Sequence, residues 1–182
     1  AIVGTILDKT LRSVSSAFSH LYENHAPLLR FLADLAVPQP TALVSAADFA
    51  LNTSLHAACS ATPLDRPHIS RLLEEASAAG IRIDYEPLRF ALSSTLTRLV
   101  GRLEEEPHSE RRLEELLVAV ELARSAPFQV NLWKVQNAYA ELDGSLYAQK
   151  RAQATAEVEA ATWVRLFTQL GERLSIKLPD SP

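Results

Sequence analysis

Residues 41–60 have the sequence Thr41-Ala-Leu-Val-Ser-Ala-Ala-Asp-Phe-Ala-Leu-Asn-Thr-Ser-Leu-His-Ala-Ala-Cys-Ser60, and this stretch decides the fold class. Apolar residues occur nearly all round the helix that it would form. A helix with so little polar surface is typical of one enclosed by other elements. Asn52 is a polar residue inside this run, and its amide needs partners if it is buried. We expect it to bond to a neighbouring helix end rather than to a ligand.

Helical periodicity continues on both sides of this stretch, with apolar residues three and four positions apart. On the N-terminal side, the sequence predicts a stripe formed by Leu7, Leu11, Val14, Phe18 and Leu21. A break or a bend follows at residues 24–27 because proline removes a helical hydrogen bond, and a short helix is predicted over 28–35. On the C-terminal side, five further helices are predicted to begin near Ile69, Leu88, Ser109, Asn131 and Ala154.

Local signals mark the ends of these helices. Gly80 is expected to end the fourth helix, since glycine adopts the left-handed conformation without strain. Ser109 and Asn131 are expected to cap the helices that follow them, and Pro127 to stop the sixth. Gly144 is expected to weaken the end of the seventh helix, and residues 81–84 to form an extended connector.

The sequence therefore predicts an all-α fold, a single multi-helix bundle of about seven to eight helices. One helical domain is expected over residues 1–178, with a frayed tail at 179–182. The chain contains no methionine and begins inside a predicted helix, so we interpret it as a segment excised from a longer chain.

Composition excludes several classes of partner. A net charge of −4 and scattered basic residues argue against nucleic acid. No apolar run reaches the ~18–20 residues that spanning a bilayer requires, so a soluble domain without membrane partners is expected. The single cysteine, Cys59, excludes an internal disulfide and favours a cytoplasmic, reducing compartment. It lies in an apolar run and is predicted to be a buried, inert thiol.

The chain contains glycine, histidine, cysteine and acidic residues, but not in the arrangements that phosphate-binding, metal or catalytic sites require. The glycines are too far apart for a phosphate-binding loop, and no histidine pair has the His-Glu-x-x-His arrangement that places two metal ligands and a base on one helical face. His56 and Cys59 are three residues apart, but two ligands without a third are weak evidence for a metal. The carboxylate runs stand beside arginines, which is typical of solvated helix faces. We therefore predict no catalytic residue, no metal and no cofactor, and no enzyme activity for this chain alone.

One edge of the seventh helix is informative. Trp133, Gln136 and Asn137 align by three and four residues, away from its apolar stripe. A tryptophan beside two amides suits stacking on a sugar or docking against another domain, because the ring buries a large area and the amides donate and accept. The alternative is that Trp133 packs under the first helices while the amides satisfy buried loop backbone.

Four stretches in series resemble a known domain. They are Leu21-Tyr-Glu-Asn-His-Ala-Pro-Leu-Leu-Arg-Phe-Leu32, Ala47-Ala-Asp-Phe-Ala-Leu-Asn-Thr-Ser-Leu55, Leu72-Leu-Glu-Glu-Ala76 running on through Gly80-Ile-Arg-Ile-Asp84, and Pro127-Phe-Gln-Val-Asn-Leu-Trp-Lys-Val-Gln-Asn-Ala-Tyr139. Their order and spacing are similar to an uncharacterised helical domain found C-terminal to the catalytic part of glycoside hydrolase family 57-like proteins. Those proteins are α-amylase-like or α-mannosidase-like.

The resemblance implies a non-catalytic accessory domain. In such proteins the catalytic carboxylates lie on an N-terminal barrel, so none is carried over to this chain. The implied partners are that missing catalytic domain and an α-glucan, whose site the helical domain would help to wall. By this analogy the Trp133, Gln136 and Asn137 edge would face the cleft or the barrel. The alternatives are a helical protein-interaction module without a carbohydrate role, and a stand-alone enzyme, for which the sequence offers no candidate residues.

Overall fold

The computed structural model describes residues 2–176, and the side chains of residues 9–176. Within this part of the chain there are eight α-helices and no strand, which confirms the all-α class. The helices are α1 (Ile2–Asp34), α2 (Thr41–Ser60), α3 (Arg66–Ala78), α4 (Tyr85–Glu105), α5 (Glu110–Ser125), α6 (Trp133–Leu142), α7 (Ala148–Gln153) and α8 (Val158–Leu174). The predicted tail at 179–182 lies outside the described residues.

The chain divides into two compact units. Among the described residues, the first comprises residues 2–58 and 67–85, and the second comprises residues 59–66 and 86–176. The prediction of one domain over residues 1–178 stays a prediction.

The predicted break at residues 24–27 is wrong, because α1 runs without interruption through Pro27. Proline has no N–H and so leaves the carbonyl of Glu23 without its helical partner. Glu23 and Pro27 are both exposed, so water can take that hydrogen bond. On a neighbouring face, Tyr22, Ala26 and Leu29 are buried in the first unit, and their packing offsets the proline's cost.

The core face of α1 also differs from the predicted stripe. Leu11, Val14 and Leu21 are exposed and Phe18 is half-buried, while the side chain of Leu7 lies outside the described residues. Phe18 still contacts Phe49 of α2, with ring centroids 4.9 Å apart, and two hydrogen bonds lie further along α1. Tyr22 donates to Glu75 Oε1 over 2.7 Å, and Arg30 donates to the same oxygen over 2.9 Å. Burial, and then the bond to Glu75, raises the pKa of Tyr22.

In the rest of the first unit, the end of α3 and the connector after it lie where the sequence predicts them. α2 buries small and branched residues, and Gln39 donates to the backbone oxygens of Leu29 and Ala79 over 2.8 and 2.9 Å. Gly80 has φ +66°, and the amide of Ile81 donates to Ala76 O over 2.9 Å, which confirms the predicted end of α3. Residues 81–84 form the predicted connector, whose isoleucines are buried.

Asn52 bonds to this connector, as the sequence predicts. Its Nδ2 donates to Asp48 O over 2.9 Å and to Arg82 O over 3.4 Å. Its Oδ1 accepts from the amide of Asp84 over 2.9 Å, one residue before α4 begins. Because both ends of the amide have backbone partners, Asn52 has a structural role.

The second unit has an aromatic core. Phe167 stacks on Tyr139 with ring centroids 4.2 Å apart, and on Trp163 with centroids 4.9 Å apart. All three rings are at most 1% exposed, and Trp163 Nε1 donates to Pro107 O over 3.0 Å. The Tyr139 hydroxyl is buried and has no hydrogen-bond partner among the described residues. Burial raises the pKa of Tyr139.

The predicted ends of α5 are confirmed, whereas those of α6 and α8 need correction. Ser109 Oγ accepts from the amide of Arg112 over 3.4 Å, and the helix ends at Ser125 before Pro127. Gly144 does not end the helical path, because a π-helical turn at Asp143–Tyr147 joins α6 to α7. α8 consequently begins at Val158 rather than at residue 154.

Candidate functional site

The candidate site is built on α6. Asn131 Oδ1 accepts from the amide of Trp133 over 2.8 Å and so satisfies the first N–H of the helix, although Leu132 occupies the cap position itself. Of the predicted apolar stripe, Val135 and Tyr139 are buried and Leu132 and Leu142 are half-buried, and Ala138 is buried beside them. With one face fixed in the core of the second unit, the remaining face of α6 is turned outward.

The three predicted site residues lie on or beside that outward face. Trp133 is 63% exposed, Asn137 is exposed and Gln136 is half-buried. Trp133 is therefore not part of the buried core. An indole this exposed contributes little to the core and leaves most of its apolar surface in contact with solvent.

Asn137 lines a groove between α4 and α6 with a volume of about 430 Å³. The groove is lined by Thr97, Val100, Gly101 and Glu104 of α4 and by Lys134, Asn137, Ala138 and Glu141 of α6. Trp133 and Gln136 do not line it. Trp133 precedes Asn137 by one turn, or about 6 Å along the helix axis, so one extended ligand can touch both.

The lining of the groove has the chemistry of a polar binding surface. Lys134 donates, Glu104 and Glu141 accept, and the hydroxyl of Thr97 and the amide of Asn137 do both. No Cβ is present at Gly101, and one added there would meet no atom within 4 Å, so the groove is open at that point. This mixture of donors and acceptors suits a ligand that carries many hydroxyl groups.

An exposed aromatic ring also precedes the groove on α4. Phe90 is 73% exposed and stands seven residues before Thr97, which places it on the same side of the helix two turns earlier. Phe90 on α4 and Trp133 on α6 are thus apolar surfaces near a polar groove. Rings of this kind support stacking without specifying hydrogen bonds.

Sequence reasoning found Asn137 but missed the residues around it. Lys134, Asn137 and Glu141 follow spacings of three and four, so their common face is visible in the sequence. The α4 residues could not be added, because helical periodicity does not say which two helices are neighbours.

Two other candidates have structural explanations. Cys59 is 2% exposed, and burial raises the pKa of its thiol to about 11, which confirms the prediction of a buried thiol. His56 is exposed, so it does not share an environment with Cys59. Among the described residues, no cluster of three or more His, Cys, Asp or Glu side chains is placed to hold a metal ion.

Within the same residues, no helix combines the length and apolar character that crossing a bilayer requires. Comparison with known proteins finds no matching family model, no matching curated protein and no matching solved structure.

Proposed function

We propose that this chain is a non-catalytic accessory domain of a glycoside hydrolase family 57-like protein, packing against the catalytic domain and walling an α-glucan site. The resemblance of the four sequence stretches suggests this role. The observation that carries it is the 63% exposure of Trp133 one turn before the α4–α6 groove. The lone, buried Cys59 is compatible with a cytoplasmic protein.

In this proposal Trp133 stacks on the apolar face of a sugar ring. The groove residues Asn137, Lys134 and Glu141 bond to the hydroxyls of that sugar or of the next one. The chain supplies binding area and orientation, while the catalytic carboxylates belong to the other domain. The buried stack of Tyr139 and Phe167 behind α6 holds the contact surface in place.

Tryptophan fluorescence tests the sugar contact directly, because the chain has two tryptophans in contrasting environments. Trp163 is fully buried and Trp133 is 63% exposed, so a ligand on α6 changes the emission of Trp133. Titration with maltooligosaccharides should give a saturable change that Trp133→Ala removes and Asn137→Ala weakens. Phe31→Ala, which removes an exposed aromatic ring from the first unit, should leave the titration unchanged.

A saturable response that survives in Trp133→Ala would place any sugar elsewhere and contradict the proposed contact. If no oligosaccharide produces a response, titration with the catalytic domain of the same polypeptide tests the docking role. Quenching of Trp133 by iodide should then fall when that domain is added. If sugars leave the emission of Trp133 unchanged and the catalytic domain leaves its iodide quenching unchanged, α6 is not a contact surface and that part of the proposal is wrong.

A second candidate function is a helical protein-interaction module without a carbohydrate role. The observation that favours it lies on α1, where Val14, Leu21, Leu28 and Phe31 are 36–58% exposed. Clusters of exposed apolar side chains mark interaction surfaces in soluble proteins. Binding of a protein through α1 with no response of Trp133 to glucans would favour this function.

A further inference from the structure

α1 carries an apolar strip that the first unit does not cover. The strip comprises seven exposed positions spaced alternately three and four residues apart, the last of which directly follows the end of α1 at Asp34: Val14, Ala17, Leu21, Asn24, Leu28, Phe31 and Leu35. Leu35 and Phe31 are 57% and 58% exposed. Tyr22, Ala26 and Leu29, which pack into the first unit, lie on a different face of the same helix. α1 therefore has two apolar faces, of which its own unit uses one.

The spacing of the α1 strip identifies the kind of partner that fits it. Apolar residues that recur every 3.5 positions on average form the seam by which one α-helix packs along another. Here the pattern persists for three heptads, from Val14 to Leu35. Six of the seven positions are apolar, and the seventh is Asn24. A single asparagine in such a seam sets the register of two helices at some cost in stability.

The strip is also complementary to itself. The positions on either side of Asn24 form three pairs at nearly equal distances from it, and in an antiparallel arrangement the members of a pair face each other across the two copies. The pairs are Leu21 with Leu28, Ala17 with Phe31, and Val14 with Leu35. An antiparallel copy centred near Asn24 would thus set apolar against apolar at every step. The large Phe31 would meet the small Ala17.

Orientation follows from the same positions. A parallel copy would place Phe31 against Phe31 and Ala17 against Ala17, and would align the two helix dipoles. In the antiparallel arrangement the dipoles oppose, and the two Asn24 amides meet near the two-fold axis. Each amide carries a donor and an acceptor, so the pair can bond reciprocally. Such a two-fold contact closes on itself and needs no other surface.

We propose that the α1 strip binds the α1 strip of a second copy of this chain, forming an antiparallel two-helix seam. The seam goes beyond the proposed glucan-binding role and does not involve α6.

The area of the α1 strip determines how tightly two copies associate. At 1.5 Å per residue the strip is about 32 Å long, and a helix with side chains is about 11 Å wide, so its footprint is about 350 Å². A stable interface buries about 800 Å² on each partner, so the dimer is weak and depends on concentration.

Sedimentation equilibrium tests the association. The mean mass should rise from 20.0 kDa towards twice that value as the concentration increases. The useful range is about 1 µM to about 1 mM, where weak association is measured. Leu28→Glu and Phe31→Glu, each with far-UV circular dichroism like that of the unchanged chain, should stay monomeric. Val158→Glu is the matched control, because Val158 is 83% exposed on α8 and lies outside the strip.

Cysteine pairing tests the orientation, in a Cys59→Ala background that leaves no native thiol. A mixture of Val14→Cys and Leu35→Cys chains should cross-link faster than either variant alone under mild oxidation. Faster pairing of Val14→Cys with itself would overturn the antiparallel arrangement. A constant mass of 20.0 kDa up to the highest concentration, or a folded Leu28→Glu variant that still dimerises, would overturn the proposal. So would binding of a different domain to the strip of a chain that stays monomeric.

Discussion

Gly171→Ala should destabilise the second unit through a single contact, the one between Gly171 on α8 and the ring of Tyr139 on α6. A Cβ at residue 171 would lie 2.8 Å from Tyr139 Cζ and closer still to the hydroxyl oxygen. The ring cannot easily withdraw, since it stacks on Phe167 at a centroid distance of 4.2 Å. Overpacking of this kind costs up to about 3 kcal/mol. Alanine's higher helix propensity offsets about 1 kcal/mol, which leaves a net loss of about 2 kcal/mol.

Tyr139→Phe provides the other side of a double-mutant cycle. The Tyr139 hydroxyl is buried without a partner among the described residues, so its removal forfeits no observed hydrogen bond. We expect stability to be unchanged or to rise by about 1 kcal/mol. In that background Gly171→Ala should cost about 1 kcal/mol less, because the atom nearest to the new methyl group is gone.

The assay is thermal and urea unfolding followed by circular dichroism, in which 2 kcal/mol corresponds to a Tm decrease of about 4–8 °C for a chain of this length. Gly101→Ala is the matched control, since its Cβ would meet nothing within 4 Å. That variant should gain about 1 kcal/mol from helix propensity alone. A Gly171→Ala variant as stable as the unchanged chain would refute the predicted clash with Tyr139. Equal costs of Gly171→Ala in the presence and absence of the Tyr139 hydroxyl would refute it as well.

Three further predictions concern the caps and the cysteine. Because the pKa of Cys59 rises to about 11 in the folded chain, its contribution to stability is complete below about pH 9 and is lost between about pH 9 and 11. Across that pH range, the free energy of unfolding measured with urea should decline less in Cys59→Ala than in the unchanged chain. An equal decline in the two proteins would contradict the contribution of Cys59. Gly80→Ala should lower the free energy of unfolding by about 1 kcal/mol, because Gly80 has φ +66° and a side chain strains that conformation. Ala36→Gly should raise it by about as much, because Ala36 has φ 51°. Thermal unfolding measures both changes as shifts in Tm. Ser109→Ala should lose about 0.5 kcal/mol, since its capping bond is long at 3.4 Å, and no loss would show that the bond is not formed.

The features that the sequence predicts well depend on interactions within a few residues. Gly80 ends α3 and Ser109 begins α5 because a left-handed residue and a capping hydroxyl act on the adjacent helical turn. The spacing within one helix separates Trp133 from the apolar stripe but leaves open whether its ring is buried, and the structure answers this with the burial of Val135 and Tyr139 on the other face and the exposure of Trp133.

The features that it misses depend on which helices are neighbours. The α4–α6 groove joins Thr97 and Glu104 to Asn137 and Glu141, although no spacing in the sequence relates these two pairs. The π-helical turn at Asp143–Tyr147 is a similar case. Gly144 weakens a helix locally, but tertiary packing of Leu146 and Tyr147 keeps the path helical.

The error at Pro27 and the exposed strip on α1 have one physical origin. Periodicity reports that a helix has an apolar face, but it does not report whether that face is covered by its own chain or by another one. α1 has both kinds: Tyr22 and Leu29 are covered within the first unit, while Leu28 and Phe31 are not. A helix interrupted at Pro27 would rotate the segments on either side and separate Val14 from Leu35. Only an unbroken helix aligns these residues in one strip, so the continuity of α1 through Pro27 creates the surface that a second copy can bind.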